Sequence, residues 1–162
     1  MSGLGSAPLP PLTPEDHVLG DGSGAPRLIV YADYECPYCA VLEQRLAAAG
    51  EPWAFRHFPV RSKHPRAWAA ACAAEAAGLQ GRFAEMHASL YADQARLEDP
   101  HLWERARALG LDVERFDADR RSDAVLARVR RDFESGVRAG VVTTPTAFRD
   151  GVEQPDLRQT LS

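Results

Sequence analysis

The sequence has no surplus of positive charge, no long apolar run and too few cysteines for a disulfide scaffold. Each shortage excludes a class of protein. Its 19 basic and 23 acidic residues leave a net charge of −4, whereas a surface built for nucleic acid or anionic lipid needs a basic excess on at least one face. The most apolar stretch, Ala67 to Leu79, is alanine-rich, carries Glu75 and is too short to cross a bilayer. Three cysteines are an odd number, so at least one thiol stays unpaired. Residues 1–26 contain no Lys or Arg and no extended apolar run. That pattern predicts that no secretory signal is encoded and that the chain resides in the cytoplasm. Lys63 is the single lysine beside eighteen arginines, which we read as genomic compositional bias.

What is present suits one soluble domain. The 162 residues are 45% hydrophobic and 26% charged, enough to bury a core and to carry an insertion. Residues 1–26 are rich in Pro, Gly and Ser and predict a surface arm, with Thr13-Pro14-Glu15-Asp16 as one capped turn. Arg27 to Asp33 is a continuous β-branched and aromatic run, the pattern of a buried parallel strand. A helix follows from Cys36 to a stop at Gly50, then a second strand over Trp53 to Val60. Residues 64–140 read as helical throughout, with starts near Pro65, Asp99-Pro100, Asp112 and Asp123. Thr146 to Arg149 is a strand, Asp150-Gly151 a hairpin turn, and a partner strand and short helical tail close the chain. The expected domain therefore covers 27–162, with a helical insertion at about 64–140.

Two cysteines three apart at a strand-to-helix junction have a chemical use. Cys36 at the N-cap places its sulfur against the free N–H groups and positive dipole end of the helix, which favour a thiolate. Pro37 suits the first helical position, having no N–H to waste. Cys39 lies one turn along, within disulfide reach. Cys36, the exposed cap, attacks; Cys39, shielded in the helix, resolves the mixed disulfide. A zinc-binding module is another use for such a pair, but it wants a second closely spaced pair, and Cys72, His57, His64 and His87 are scattered. A redox-sensing interaction protein, whose cysteine pair alters a binding surface, also remains open.

YADYECPYC, FRHFP, HPRAWAAACAAEAAGLQGRFAEMHASLY and GVVTTPTAFRDG occur in this order, after the lead-in DHVLGDGSGAPRLIV. Together they resemble the thioredoxin-fold disulfide oxidoreductases of the DsbA type, from about Asp16 to Gly151. The resemblance implies an α/β thioredoxin fold, β-α-β then β-β-α, with an α-helical insertion between the halves. It also implies a thiol–disulfide oxidoreductase that exchanges a Cys36–Cys39 disulfide with protein, peptide or small thiols. No bound cofactor or metal is expected. Glutathione or a thioredoxin-type system would recycle the pair, and the chain would be a monomer or a homodimer. Carried over by position, Pro145 is a cis-proline facing the cysteines, and Thr144 before it offers backbone groups to an extended substrate. Glu43 matches an acidic position that can relay the proton of Cys39, and Tyr38 is a substrate contact.

Two departures from the family pattern carry consequences. The usual buried acid six residues before the nucleophile is Val30 here, so proton transfer falls to Glu43, Glu35 or water. The dipeptide is Pro-Tyr rather than Pro-His, which removes a thiolate-stabilising charge and predicts a potential of about −200 to −230 mV, nearer glutaredoxins than DsbA. The short tail after Gly151 leaves part of one sheet face for a partner or a second subunit. Elsewhere the bland readings stand. Cys72 is a buried core thiol, His57 a hydrogen-bonded structural histidine, and His64 with Pro65 a helix terminus. Trp68, Phe83, Met86, Trp103 and Phe116 are core or interface, and the Arg120-Arg121 and Arg128-Arg130-Arg131 clusters form solvated pairs with Asp119, Asp123 and Asp132.

Overall fold

A computed structural model describes residues 8–21 and 24–159. Five strands form one sheet: β1 (His17–Leu19), β2 (Leu28–Ala32), β3 (Trp53–His57), β4 (Thr146–Arg149) and β5 (Val152–Glu153). Their order across the sheet is β1-β3-β2-β4-β5. Only β2 and β3 run parallel, with Val30 opposite Phe55; the other neighbours are antiparallel. The parallel pair is joined by α1 (Pro37–Ala49), the crossover a parallel pair requires. Gly50 closes α1 in the left-handed region at φ 71°, its N–H donating to the carbonyls of Leu46 and Ala47.

The segment expected to be helical holds α2 (Ala67–Gly78), α3 (Phe83–Ala92), α4 (Asp99–Ala108), α5 (Val113–Asp119) and α6 (Asp123–Arg138). Asp112 and Ser122 cap α5 and α6 by accepting from the N–H of Arg115 and Val125. A short α7 (Pro155–Gln159) ends the described chain. No helix among the described residues is long and apolar enough to cross a membrane.

β2 is buried on both faces, and its alternating side chains belong to two cores. Leu28, Val30 and Ala32 pack with Leu42 and Leu46 of α1 and with the insertion, where Ala70 to Ala77, Phe83, Met86 and Phe116 are buried. Ile29 and Tyr31 pack with Phe58, Phe148 and Phe133 on the other side. Gly136 lets α6 come down there, since a Cβ at that position would lie 2.7 Å from the Phe58 ring. Trp68 and Trp103 border the first core, partly exposed.

Three expectations need correction. Of the 1–26 arm, residues 1–7 and 22–23 lie outside the described residues, and the rest is more than surface. His17–Leu19 pairs with β3 as an edge strand, and Asp16 is buried against Arg56 at 3.0 Å. The turn at Thr13–Asp16 is present, with the Asp16 N–H donating to the Thr13 carbonyl. The second strand ends at His57, ahead of Pro59, and not at Val60. Arg120 is a buried side chain, paired with Asp117 at 2.7 Å and Asp99 at 3.1 Å rather than with Asp119 and Asp123.

Candidate active site

The β2–α1 junction sets the two cysteines. Cys36 is the N-cap residue of α1, extended at φ −76° and ψ 116°, and Pro37 takes the first turn. The Cys36 Sγ accepts from the Cys39 N–H at 3.2 Å, so sulfur does what a cap oxygen does elsewhere. From the other half of the fold, the segment before β4 brings in Thr144, whose carbonyl accepts from Cys36 Sγ at 3.6 Å. The Thr144–Pro145 peptide bond is cis. Tyr38 stands 53% exposed beside the pair. Cys36, expected as an exposed cap, is in fact only 3% exposed, against 1% for Cys39. Tyr38, Val60, His64 and the segment Val142–Thr144 close around it, leaving a cavity of about 370 Å³ as its opening.

Electrostatics separates two chemically identical side chains. The Cys39 thiol, donating to the Cys36 sulfur, is the largest influence on Cys36 and pulls its pKa down from 9.0 to about 6. Burial opposes this, Thr144 and the Cys39 N–H assist, and the Asp33 carboxylate opposes. Cys39 moves the other way, well above the ordinary thiol value, because it is buried and faces the Cys36 thiolate. The cap sulfur is thus the more readily ionised of the two and the helix sulfur the more firmly protonated.

The surroundings are polar and fully engaged. Asp33 has a solvent-free carboxylate that accepts from the N–H groups of Glu35 and Val60 and lies 2.9 Å from His64 Nδ1. Burial raises its pKa, and those hydrogen bonds restrain the rise. Gln94, two residues past α3, donates to the carbonyls of Tyr34 and Cys36, both at 2.9 Å, and Tyr91 donates to that of Asp33. These ties anchor the insertion to the nucleophile's backbone.

The acids expected near Cys39 are otherwise occupied. Glu43 is buried, 2.7 Å from His87 Nε2, and accepts from the Trp53 indole at 3.3 Å. His87 Nδ1 pairs in turn with the Tyr34 hydroxyl at 2.8 Å. Glu35 holds Arg66 at 2.6 Å. Val30 is buried core, as its type requires. His57 is structural, its Nε2 2.8 Å from Glu75, which also meets His17 at 2.6 Å. Cys72 is buried in α2, and burial pushes its thiol up to about 11. Among the described residues no group of three or more His, Cys, Asp and Glu is arranged to hold a metal ion.

Sequence reasoning missed Asp33, Gln94 and Tyr91, and it took His64 for a mere terminus. Apart from the Glu35 N–H on Asp33, their partners lie 27 to 60 residues away, so no local pattern marks them. The one sequence signal was an acid three residues before Cys36.

A family model described as Thioredoxin matches residues 12–159. Among curated relatives, a Na(+)/H(+) antiporter NhaA 1 of Mycobacterium sp. (strain KMS) is 41% identical over 150 residues, covering 87% of this chain and 24% of that protein. The chain thus spans about a quarter of the length of such relatives. Among solved structures, a thioredoxin-like oxidoreductase from Silicibacter pomeroyi DSS-3 matches with a TM-score of 0.73 and 26% identity, over 92% of this chain and 91% of that one. The thiol-disulfide exchange protein alpha-DsbA2 from Wolbachia pipientis shares the fold at a TM-score of 0.71 and 18% identity, over 89% and 84% of the two chains. The family match runs nearly end to end, and the chain belongs to the thioredoxin family.

Proposed function

We propose that the chain is a thiol–disulfide oxidoreductase acting on protein or peptide thiols through Cys36 and Cys39. The observation that carries this reading is the placement of the pair, with Cys36 Sγ at the cap of α1 accepting from the Cys39 N–H at 3.2 Å and facing the Thr144 carbonyl at 3.6 Å, an asymmetric setting that favours ionisation of Cys36 over Cys39. A pair held only for packing has no use for that asymmetry.

In the reducing direction the Cys36 thiolate attacks one sulfur of a substrate disulfide. The substrate S–S bond breaks, its other sulfur leaves as a thiolate and takes up a proton, and a Cys36–substrate mixed disulfide forms. Cys39 then loses its proton and attacks the Cys36 sulfur. The Cys36–Cys39 bond closes and the second substrate thiol departs. Oxidation of a dithiol substrate is the same path reversed. Pro37 starts the helix that presents Cys36, while Thr144, Pro145 and the exposed Tyr38 form the wall along which an extended substrate lies. Glu43 is taken up by His87 and Trp53, so no direct contact with the Cys39 thiol is proposed for it.

The test is a pair of variants. Cys36→Ser abolishes exchange with a disulfide peptide, whereas Cys39→Ser lets the first step proceed and accumulates a mixed disulfide visible by mass spectrometry. Retained turnover in Cys36→Ser contradicts the proposal.

A further inference from the structure

The Pro-Tyr motif puts no imidazole on α1, yet the cavity onto which Cys36 opens is lined by one. His64 enters from the turn between β3 and α2, its N–H donating to the Val60 carbonyl at 2.8 Å. Its Nδ1 lies 2.9 Å from Asp33 Oδ2. The Asp33 carboxylate is itself held by two backbone N–H groups, at 2.7 and 2.8 Å, so the ring is oriented by a rigid acceptor. With Nδ1–H committed to Asp33, the nitrogen left for proton exchange is Nε2. The ring is 23% exposed, enough to meet the cavity it shares with Cys36 while its carboxylate partner stays dry.

The charges around Cys36 need such a group. Asp33, three residues upstream, places a buried carboxylate that works against the Cys36 thiolate. Glu35 is turned to Arg66, Cys39 is a protonated reserve, and Tyr38 and Lys63 complete the titratable lining of the cavity. His64 is the one imidazole there, and a proton on it offsets Asp33.

The geometry points to His64, oriented by Asp33, as the group that takes the proton of the Cys36 thiol and returns it to the sulfur leaving a substrate disulfide. The proposal rests on the thiol–disulfide reading and assigns its proton carrier on the nucleophile's side. The thiol proton passes to Nε2 across the cavity the two residues share, giving thiolate and imidazolium. The thiolate attacks the substrate disulfide, the Cys36–substrate bond forms and the substrate S–S bond breaks. The departing sulfur takes the proton from Nε2 and leaves as a neutral thiol. The ring ends neutral, as it began, and no outside oxidant or reductant is consumed in this step. Asp33 is the positioning residue.

The test uses the reduced protein and His64→Gln, whose amide can still donate to Asp33 but has no titratable proton. Thiolate absorbance against pH is expected to show the Cys36 titration moving up by about one pH unit in the variant. The reaction with oxidised glutathione, whose leaving thiol is basic, falls by about tenfold or more. The reaction with an aromatic nitrobenzoate disulfide, whose leaving thiolate needs no proton, falls only as far as the lost thiolate requires. In the unaltered protein, the His64 ring resonances respond to deprotonation of Cys36, and Cys36→Ser removes that response. Superposed titration curves, equal losses with both disulfides, or a ring indifferent to Cys36 would each overturn the proposal. A protein that forms no Cys36–Cys39 disulfide with either reagent contradicts instead the thiol–disulfide reading beneath it.

Discussion

Cys36 and Cys39 differ by three positions and one turn of helix, and that difference decides which ionises more readily. The sulfur at the cap collects donors, whereas for the sulfur inside the turn burial and a negative neighbour outweigh the hydrogen bonds it makes with Asp33 and Thr144. Two consequences can be measured. Alkylation of the reduced protein by iodoacetamide is expected to follow a single titration near pH 6 that Cys36→Ser removes; a midpoint near the ordinary thiol value contradicts the site electrostatics. Stability follows from the same shift. Below pH 6 the thiol is protonated in both folded and unfolded chains, so it contributes nothing. Between 6 and 9 the folded chain binds fewer protons than the unfolded one, so the contribution grows with pH and is complete above 9. The oxidised form has no such group. Its melting-temperature advantage over the reduced form is therefore expected to shrink as pH rises from 6 to 9, and an advantage independent of pH argues against a folded-state thiolate. This scale was also the most legible in the sequence, because cap, proline and cysteine spacing are local. Asp33 and His64 were not legible, since a carboxylate and an imidazole 31 residues apart meet only through the β2–β3 pairing.

Elements were legible where they carry their own punctuation. The insertion helices announce themselves by Asp99-Pro100, Asp112 and Ser122-Asp123 at their starts, and the hairpin by Asp150-Gly151. β1 was not, because three residues between Pro-rich and Gly-rich stretches give no period, and their strand partner lies 38 residues on, His17 opposite Phe55. What fixes this strand is a buried guanidinium. Arg56 on β3 donates to the Asp16 carboxylate, to the carbonyls of Pro10 and Pro11 and to the Tyr31 hydroxyl. Burial by itself disfavours its charge, but these acceptors hold its pKa above the ordinary value. Asp16→Ala strands that charge and is expected to cost about 3 to 5 kcal/mol, read from urea unfolding, with early exchange of the β1 amides. A loss under about 1 kcal/mol would show that the pair is not what holds the strand. On the opposite layer, Gly136→Ala drives a methyl into Phe58 and Tyr31 and is expected to cost about 1 to 3 kcal/mol. An unchanged midpoint contradicts the close approach of α6.

At the scale of the molecule, the two halves of the fold meet at the sulfur. The β2–α1 junction supplies Cys36, the segment before β4 supplies the Thr144 carbonyl, and the insertion ties in through Gln94 and Tyr91. The order β-α-β, helices, β-β-α was readable because each unit is short and locally marked, whereas the docking of the insertion onto the site depends on side chains far apart in sequence. The Cys36 thiol is lowered without the imidazole of a Pro-His dipeptide on α1, so its reduced pair is expected to be less stabilised than DsbA's and its potential lower. The measurement that tests this most directly is the equilibrium of the Cys36–Cys39 pair against glutathione redox buffers, with Cys36→Ser as control. The expected result is a two-electron transition at about −200 to −230 mV that the control lacks. A protein that forms no Cys36-dependent disulfide across that range would contradict the account.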